Sequence, residues 1–257
     1  MNLYNVFNQI LILFSILILG IIIKRVKVVS DEFEKDLTDF ILKVSQPALV
    51  INSMSFEFSS DVLLKSGQVL LFSFITYGLS IMAALGITKA MKFDEAKKSV
   101  YKFVLIFSNV GFMGYPVVNS IYGAKGVFYT AIFNLVYMLL VWTLGIIIIS
   151  GEEINMKSML PKLINPGTVS IVIGFTLFVF SIKLPAAIAS TINMIGSLTT
   201  PLSMILVGLI LGSFSIKKAF KDMMVFFISF LRLVVIPLAV LLIFFPFVKD
   251  PLVLGVL

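Results

Sequence analysis

Long uncharged apolar runs separated by short charged segments set the pattern of this chain. A helix needs about 20 mostly apolar residues to cross a bilayer. Eight stretches meet or approach that length. They are Val6 to Ile23; Leu37 to Phe56, with Asp39 and Lys43 near its start; Ser66 to Thr88; Phe103 to Ala124; Gly126 to Ser150; Leu163 to Ile182; a run within Leu184 to Ile216, too long for one straight span; and Met223 to Val248, interrupted by Arg232. Backbone polar groups in lipid must be satisfied within the segment, so the runs predict helices. A membrane β-barrel would show short alternating segments instead. The predicted fold class is an all-α polytopic membrane protein.

Composition sharpens this. Of 257 residues, 60% are apolar and 13% charged, against roughly 45–50% and about 25% in soluble domains. The mean hydropathy is +1.12. A soluble fold of this size could not hide so much apolar surface. His and Cys are both zero. That excludes an imidazole base, a His-ligated metal, a thiolate, a disulfide and an iron–sulfur site. No cofactor and no metal are expected.

The net charge of +7 would admit nucleic acid as a partner, but its distribution points elsewhere. With the N-terminus outside, inner loops and their edges hold 14 of the 20 basic residues, including Lys24, Arg25, Lys89, Lys97, Lys98, Lys157 and Lys217. Outer loops hold 4, namely Lys65, Lys125, Lys183 and Lys249. This is the positive-inside bias of a multi-pass protein, and no nucleic-acid partner is expected. Met1 to Gln9 has no Lys or Arg, so the first apolar run reads as a retained helix rather than a cleaved leader.

An internal repeat is visible. Ser45-Gln46-Pro47 resembles Thr199-Thr200-Pro201, 154 residues on, and spans 1–3 recur as spans 6–8 at about that offset. Five spans per repeat is an odd number, so the second copy enters the membrane from the opposite side. The expected organisation is a first repeat over 1–150, a short cytoplasmic loop over 151–162 and an incomplete second repeat over 163–257. The same offset carries the start of span 4, Phe103, onto the last residue, Leu257. The expectation is a C-terminally truncated chain with about eight of ten spans, the alternative being a natural eight-span protein.

Span 4 holds Ser108-Asn109-Val110-Gly111-Phe112-Met113-Gly114-Tyr115-Pro116. Pro116 cannot donate to the helix ladder and clashes with the carbonyl of Phe112, and Gly111 and Gly114 weaken the same turn. A broken helix in a membrane is tolerated where it is buried in protein or lines a wet cavity. Asn109 would offer its amide to that cavity; equally, it could make one interhelical hydrogen bond. Pro47 frees the Lys43 carbonyl and is followed by Asn52, while Pro201 frees that of Ser197. Paired breaks in equivalent helices point to a midplane site, or to kinks without a ligand. Arg232 sits about ten residues into span 8. It could balance an anion or organise a helix break, but snorkelling to the inner rim is the favoured reading. Asp39 and Lys43, four apart, should pair on one helix face. No Asp or Glu lies in the middle of a span.

The span-4 run resembles the N-x-G-x-x-G-x-P signature of the auxin efflux carrier family, which includes bacterial malonate- and malate-type carriers. Pro47, Asn134 with Trp142 and Gly145, Asn165-Pro166, Pro201 to Gly208, and Arg232 to Pro237 follow in the family's order. The resemblance implies ten helices in two inverted repeats, with helices 4 and 9 broken and crossing near the midplane. It implies a scaffold of helices 1, 2, 6 and 7, often dimeric, and a moving domain of helices 3–5 and 8–10. By resemblance Asn109 matches the asparagine that contacts an anionic substrate, and Pro116 the crossover proline. By the 154-residue offset, 163–257 is expected to hold helices 6–8 and only the start of helix 9. The short loop Gly151 to Lys162 separates the chain from the long-loop plant type.

The expected function is a secondary carrier of small organic anions, carboxylates in particular, working by alternating access in the plasma membrane. Candidate substrate-binding residues are Asn109, Gly111, Gly114, Pro116, Pro47, Asn52 and Pro201, with a possible charge role for Arg232. H+ or Na+ is the possible coupling ion, and a homodimer is possible. The alternatives are a channel, a membrane-embedded enzyme, a receptor or scaffold without transport, and an inactive fragment of a carrier. With no His, no Cys and no midspan carboxylate pair, the enzyme has few acid–base options.

Overall fold

A computed structural model describes residues 3–91, 95–150, 163–214 and 223–257. The expected loop over 151–162 lies outside the described residues, as do the basic residues Lys92, Lys157, Lys162, Lys217, Lys218 and Lys221. The regular elements among the described residues are all helical: α1 (Leu3–Arg25), α2 (Asp31–Phe40), α3 (Gln46–Met54), α4 (Ser60–Ala90), α5 (Glu95–Ile106), α6 (Tyr115–Leu140), α7 (Ile146–Ser150), α8 (Pro166–Val179), α9 (Ala186–Ser197), α10 (Thr199–Ser213), α11 (Met223–Phe230), α12 (Ile236–Phe244) and α13 (Pro251–Val256). One-turn π-helical segments occupy Ile41–Ser45, Val110–Gly114, Val141–Gly145 and Leu231–Val235.

Among the described residues, five helical stretches are long and apolar enough to cross a membrane, which makes this a multi-pass membrane protein. One of them, Lys97–Ser150, has 54 residues, far beyond the ~20 that a single crossing needs. It is interrupted at 107–109, and again at Gly123, whose φ of 62° is open to glycine at little cost. Span 6 opens on a reciprocal cap. The Thr168 N–H donates to Asn165 Oδ1 at 3.1 Å, and the Asn165 N–H donates to Thr168 Oγ1 at 3.1 Å. With Pro166 at the first helical position, this satisfies the start of α8.

The chain divides into two compact units. The first takes in Met1–Ser60, Asn109–Ala131 and Asn165–Ser215; the second takes in Asp61–Ser108, Ile132–Ile164 and Ile216–Leu257. Each unit draws on both sides of residue 150, so compactness does not follow the repeat boundaries read from sequence.

In the first unit α1 packs along α10, and α3 packs against α8 and α9. The α1–α10 seam is made by small residues, as membrane helices need for close approach. A β-carbon at Gly208 would collide with the Leu17 carbonyl oxygen and lie 2.8 Å from Gly20 Cα. In the α3–α8 seam, a β-carbon at Gly174 would lie 2.7 Å from Met54 Sδ. Phe128 and Phe178 stack edge-to-face below, with centroids 5.1 Å apart.

In the second unit α4 is inside out. Ser66, Ser73, Thr76, Ser80, Ala84 and Thr88 are buried, whereas Leu64, Leu71, Phe74, Met82 and Leu85 are exposed. The small polar positions recur at helical spacing, and their hydroxyls are satisfied within the helix where they can be. Ser73 Oγ donates to the Val69 carbonyl at 2.6 Å, and Thr88 Oγ1 to that of Ala84 at 2.7 Å. Apolar residues turned outward suit a lipid solvent, where leucine gains nothing by hiding.

Candidate functional site

Among the described residues, three of the four π turns lead into a proline. Gln46, Tyr115 and Ile236 each precede a proline, at 47, 116 and 237. Each donates its N–H five residues back, to the carbonyls of Ile41, Val110 and Leu231. Widening the turn by one residue accommodates the proline's missing donor without ending the helix, as π-bulges do. Prolines 47 and 116 therefore do not open the helix where the sequence placed the breaks. In span 4 the non-helical residues are 107–109, upstream of the proline. Pro201 differs, because α9 ends at Ser197 and α10 restarts at Thr199.

Asn109 caps the restart. Its Oδ1 accepts the Phe112 N–H at 3.1 Å, and its φ and ψ of −81° and 73° are non-helical. Its carbonyl accepts from Gly114 at 3.0 Å. The oxygen of Asn109 is thus used by the fold, and the side-chain NH2 is what remains to offer a ligand.

Seven predicted site residues, Asn109, Gly111, Gly114, Pro116, Pro47, Asn52 and Pro201, belong to the first unit, and Arg232 to the second. The π turn at Val110–Gly114 packs on α10, and the turn at Ile41–Ser45 packs on α8, α9 and α10. A β-carbon at Gly111 would lie 3.9 Å from Gln46 Oε1. Asn119 Nδ2 donates to Thr200 Oγ1 at 3.4 Å. Asn52 pairs with Asn193 Oδ1 at 3.2 Å. The side-chain oxygens of Ser45, Gln46, Thr199 and Ser203 are buried without a hydrogen-bond partner. Ser45 and Thr199, 154 residues apart, are both fully buried. Unpaired buried oxygens beside two prolines are costly unless something else occupies them.

Arg232 does not snorkel. It sits in the π turn before Pro237, half-buried. Its Nη1 donates to the Leu105 carbonyl at 2.9 Å and its Nη2 to Ser108 Oγ. Leu105 lies in the last turn of α5, where carbonyls lack helical partners and a cation is favoured. Arg232 thus ties its own π turn to the end of α5 and to the interruption at 107–109.

The second unit also contains a cavity of about 610 Å³, lined in part by Thr76, Tyr77, Ser108 and Arg232. Thr76 and Tyr77 were not singled out by sequence. The signal was there in the hydroxyl stripe at 66, 73, 76 and 80 of an otherwise apolar span. Among the described residues no group of His, Cys, Asp or Glu could hold a metal ion. The predicted Lys43–Asp39 pair forms, at 2.7 Å.

A family model described as membrane transport protein matches residues 5–257. An uncharacterized transporter of Methanocaldococcus jannaschii is 25% identical over 219 residues, 82% of this chain and 70% of its own length. Another from Methanothermobacter thermautotrophicus is 27% identical over 228 residues, 87% of this chain and 73% of its own. The uncharacterized transporter YfdV of Escherichia coli K12 is 24% identical over 242 residues, 89% of this chain and 74% of its own. The family match runs through the proline-bearing spans and the Asn109 cap alike, and the chain belongs to the membrane transport protein family, that of the auxin efflux carriers.

Proposed function

We propose that the protein is a secondary carrier that moves small organic anions, carboxylates in particular, across the plasma membrane by alternating access. The observation that carries this is the interrupted helix at 107–109, restarted by the Asn109 cap inside an apolar membrane segment. Such an interruption exposes backbone dipoles where a substrate can use them without a costly free charge. Asn109, Gly111, Gly114 and Pro116 line the substrate path from one side. Pro47, Asn52 and Pro201 line it as well.

The first and second halves act as inverted repeats over 1–150 and 163–257. The α1–α10 and α3–α8 seams support this: Gly20 with Gly208, and Gly174 with Met54, exchange under the same 154-residue offset that relates Pro47 to Pro201. The N-terminus lies outside, H+ or Na+ serves as coupling ion, and two copies associate through the first unit.

Uptake of labelled mono- and dicarboxylates into proteoliposomes tests this reading. Uptake of at least one organic anion above empty vesicles supports it. Failure for every organic anion tried, with folded protein, contradicts it.

A further inference from the structure

The first unit keeps four buried oxygens out of its own hydrogen bonding. Ser45 is 0% exposed, Gln46 3%, and Thr199 and Ser203 0% each. Ser45 Oγ, Gln46 Oε1, Thr199 Oγ1 and Ser203 Oγ have no hydrogen-bond partner. A hydroxyl on a helix ordinarily donates to the carbonyl three or four residues back. Ser53, Ser170 and Ser197 of the same unit do so, each at 2.7 Å. Thr200, beside Thr199, accepts from Asn119 at 3.4 Å. The hydroxyls at 45, 199 and 203 thus forgo a bond that their neighbours make.

Two contacts bracket these residues. Ile41 shares one buried apolar cluster with Leu206 and Leu209. Seven residues on, the backbones touch: a β-carbon at Gly196 would lie 2.8 Å from the Leu49 N. The chain between the two contacts runs through Ser45 and Gln46 on one side and through Thr199 and Ser203 on the other. The π turn Ile41–Ser45 accordingly packs on α9 and α10. The turn Val110–Gly114 also packs on α10, and Gly111 presents bare backbone towards Gln46 Oε1, which lies 3.9 Å from where a β-carbon would be. Between α9 and α10 the helix is discontinuous, and Pro201 has no N–H to give the Ser197 carbonyl.

We infer that these four oxygens form a site for one desolvated monovalent cation, Na+ in particular, where the Pro47 and Pro201 turns meet. Every unpaired atom of the set is an oxygen, and oxygens of this kind replace the hydration shell of a hard cation. Discontinuous helices supply such ligands in carriers. The set holds no carboxylate, so it suits one charge rather than two: a divalent ion in a dry interior needs acidic ligands to offset it. It also suits Na+ rather than H+, because hydroxyl and amide oxygens take up no proton near neutrality. Backbones in contact at Gly196 and Leu49 leave room for a small ion. The inference rests on the carrier reading for its purpose and deepens it, by giving the coupling ion a place and an identity.

The test is thermal unfolding of the full chain, purified in detergent, in NaCl, KCl or choline chloride at one ionic strength. The midpoint should rise with the logarithm of Na+ concentration, rise less with K+ and not respond to choline. Ser203→Ala and Thr199→Val should each need about tenfold more Na+ for the same rise, as for a lost bond to a charged group. In choline both variants should be as stable as wild type or more so, because each removes an unpaired buried hydroxyl. Ser53→Ala, whose hydroxyl is already bonded, should keep the full Na+ response. Equal midpoints in the three salts would overturn the site. So would variants that shift alike in Na+ and in choline, which would mean that ordered water satisfies these oxygens. Organic-anion uptake by a protein with no Na+ response would remove the site and leave the carrier standing. A Na+ response with these dependences but no anion uptake would do the reverse.

Discussion

Gly208 of α10 and Gly20 of α1 meet backbone to backbone, and the positions 154 residues away, Met54 and Gly174, meet in turn. The first contact leaves no room for a side chain, because a β-carbon at either glycine collides with a carbonyl oxygen of the other helix. The second leaves a little, because the neighbour is a flexible methionine. Gly208→Ala and Gly20→Ala should each destabilise the protein by ~1–3 kcal/mol. Gly174→Ala should cost less. Thermal denaturation in detergent checks the order; equal losses would mean that Met54 cannot move aside.

The Asn109 side chain has two separable roles. Asn109→Asp keeps the oxygen that accepts the Phe112 N–H, whereas Asn109→Ala removes both the cap and the amide. Loss of the cap should cost about 1 kcal/mol, too little to abolish expression. If the NH2 meets the substrate, both variants should lose substrate affinity while only Asn109→Ala loses stability. Unchanged affinity in both would make Asn109 a cap and nothing more.

Pro116 and Pro237 each follow a π turn that accommodates them. Replacing either by Ala restores an N–H and lets the turn close to ordinary α-helix. Stability should rise, by up to the ~3 kcal/mol that a helix-interior proline costs. On the carrier reading transport should fall, since the widened turn would supply local freedom for alternation. A variant transporting at the wild-type rate would show the π turn to be structural only.

Two ion pairs outside the apolar runs contribute to the response to acid. Glu57 pairs with Lys183 at 2.9 Å, and Asp250 with Lys65 at 2.9 Å while also capping α13 at Leu252. Hydrogen bonding to Lys183 and Lys65 holds both carboxyls below their ordinary range. A carboxyl lowered by folding stabilises above its unfolded value and loses that contribution as pH falls through its folded value. Stability should therefore be flat near neutrality and decline below about pH 4. Asp250→Asn should flatten part of that decline, read as the melting temperature against pH.

Much of the fold was legible because lipid imposes simple rules. Run length gave the long apolar helices and the all-helical class. Helix interruption was harder to read. Proline identity marks where a donor is missing, but whether the helix opens or merely widens depends on the carbonyls five residues back. Hence Pro116 marked span 4 correctly, while the opening itself fell at 107–109. Arg232 was misread as snorkelling because its partners, Leu105 and Ser108, lie more than 120 residues away in the chain. Tyr77 was overlooked because an aromatic in an apolar span reads as packing until its hydroxyl is seen to lack a partner.

The most direct measurement of the central claim is exchange across a sealed membrane. Proteoliposomes preloaded with an unlabelled organic anion are challenged with the labelled form. A carrier predicts uptake that saturates, that is accelerated by the anion inside, and that weakens in Asn109→Ala. Flux that rises linearly with concentration, is indifferent to the internal anion and appears as single-channel current would contradict it.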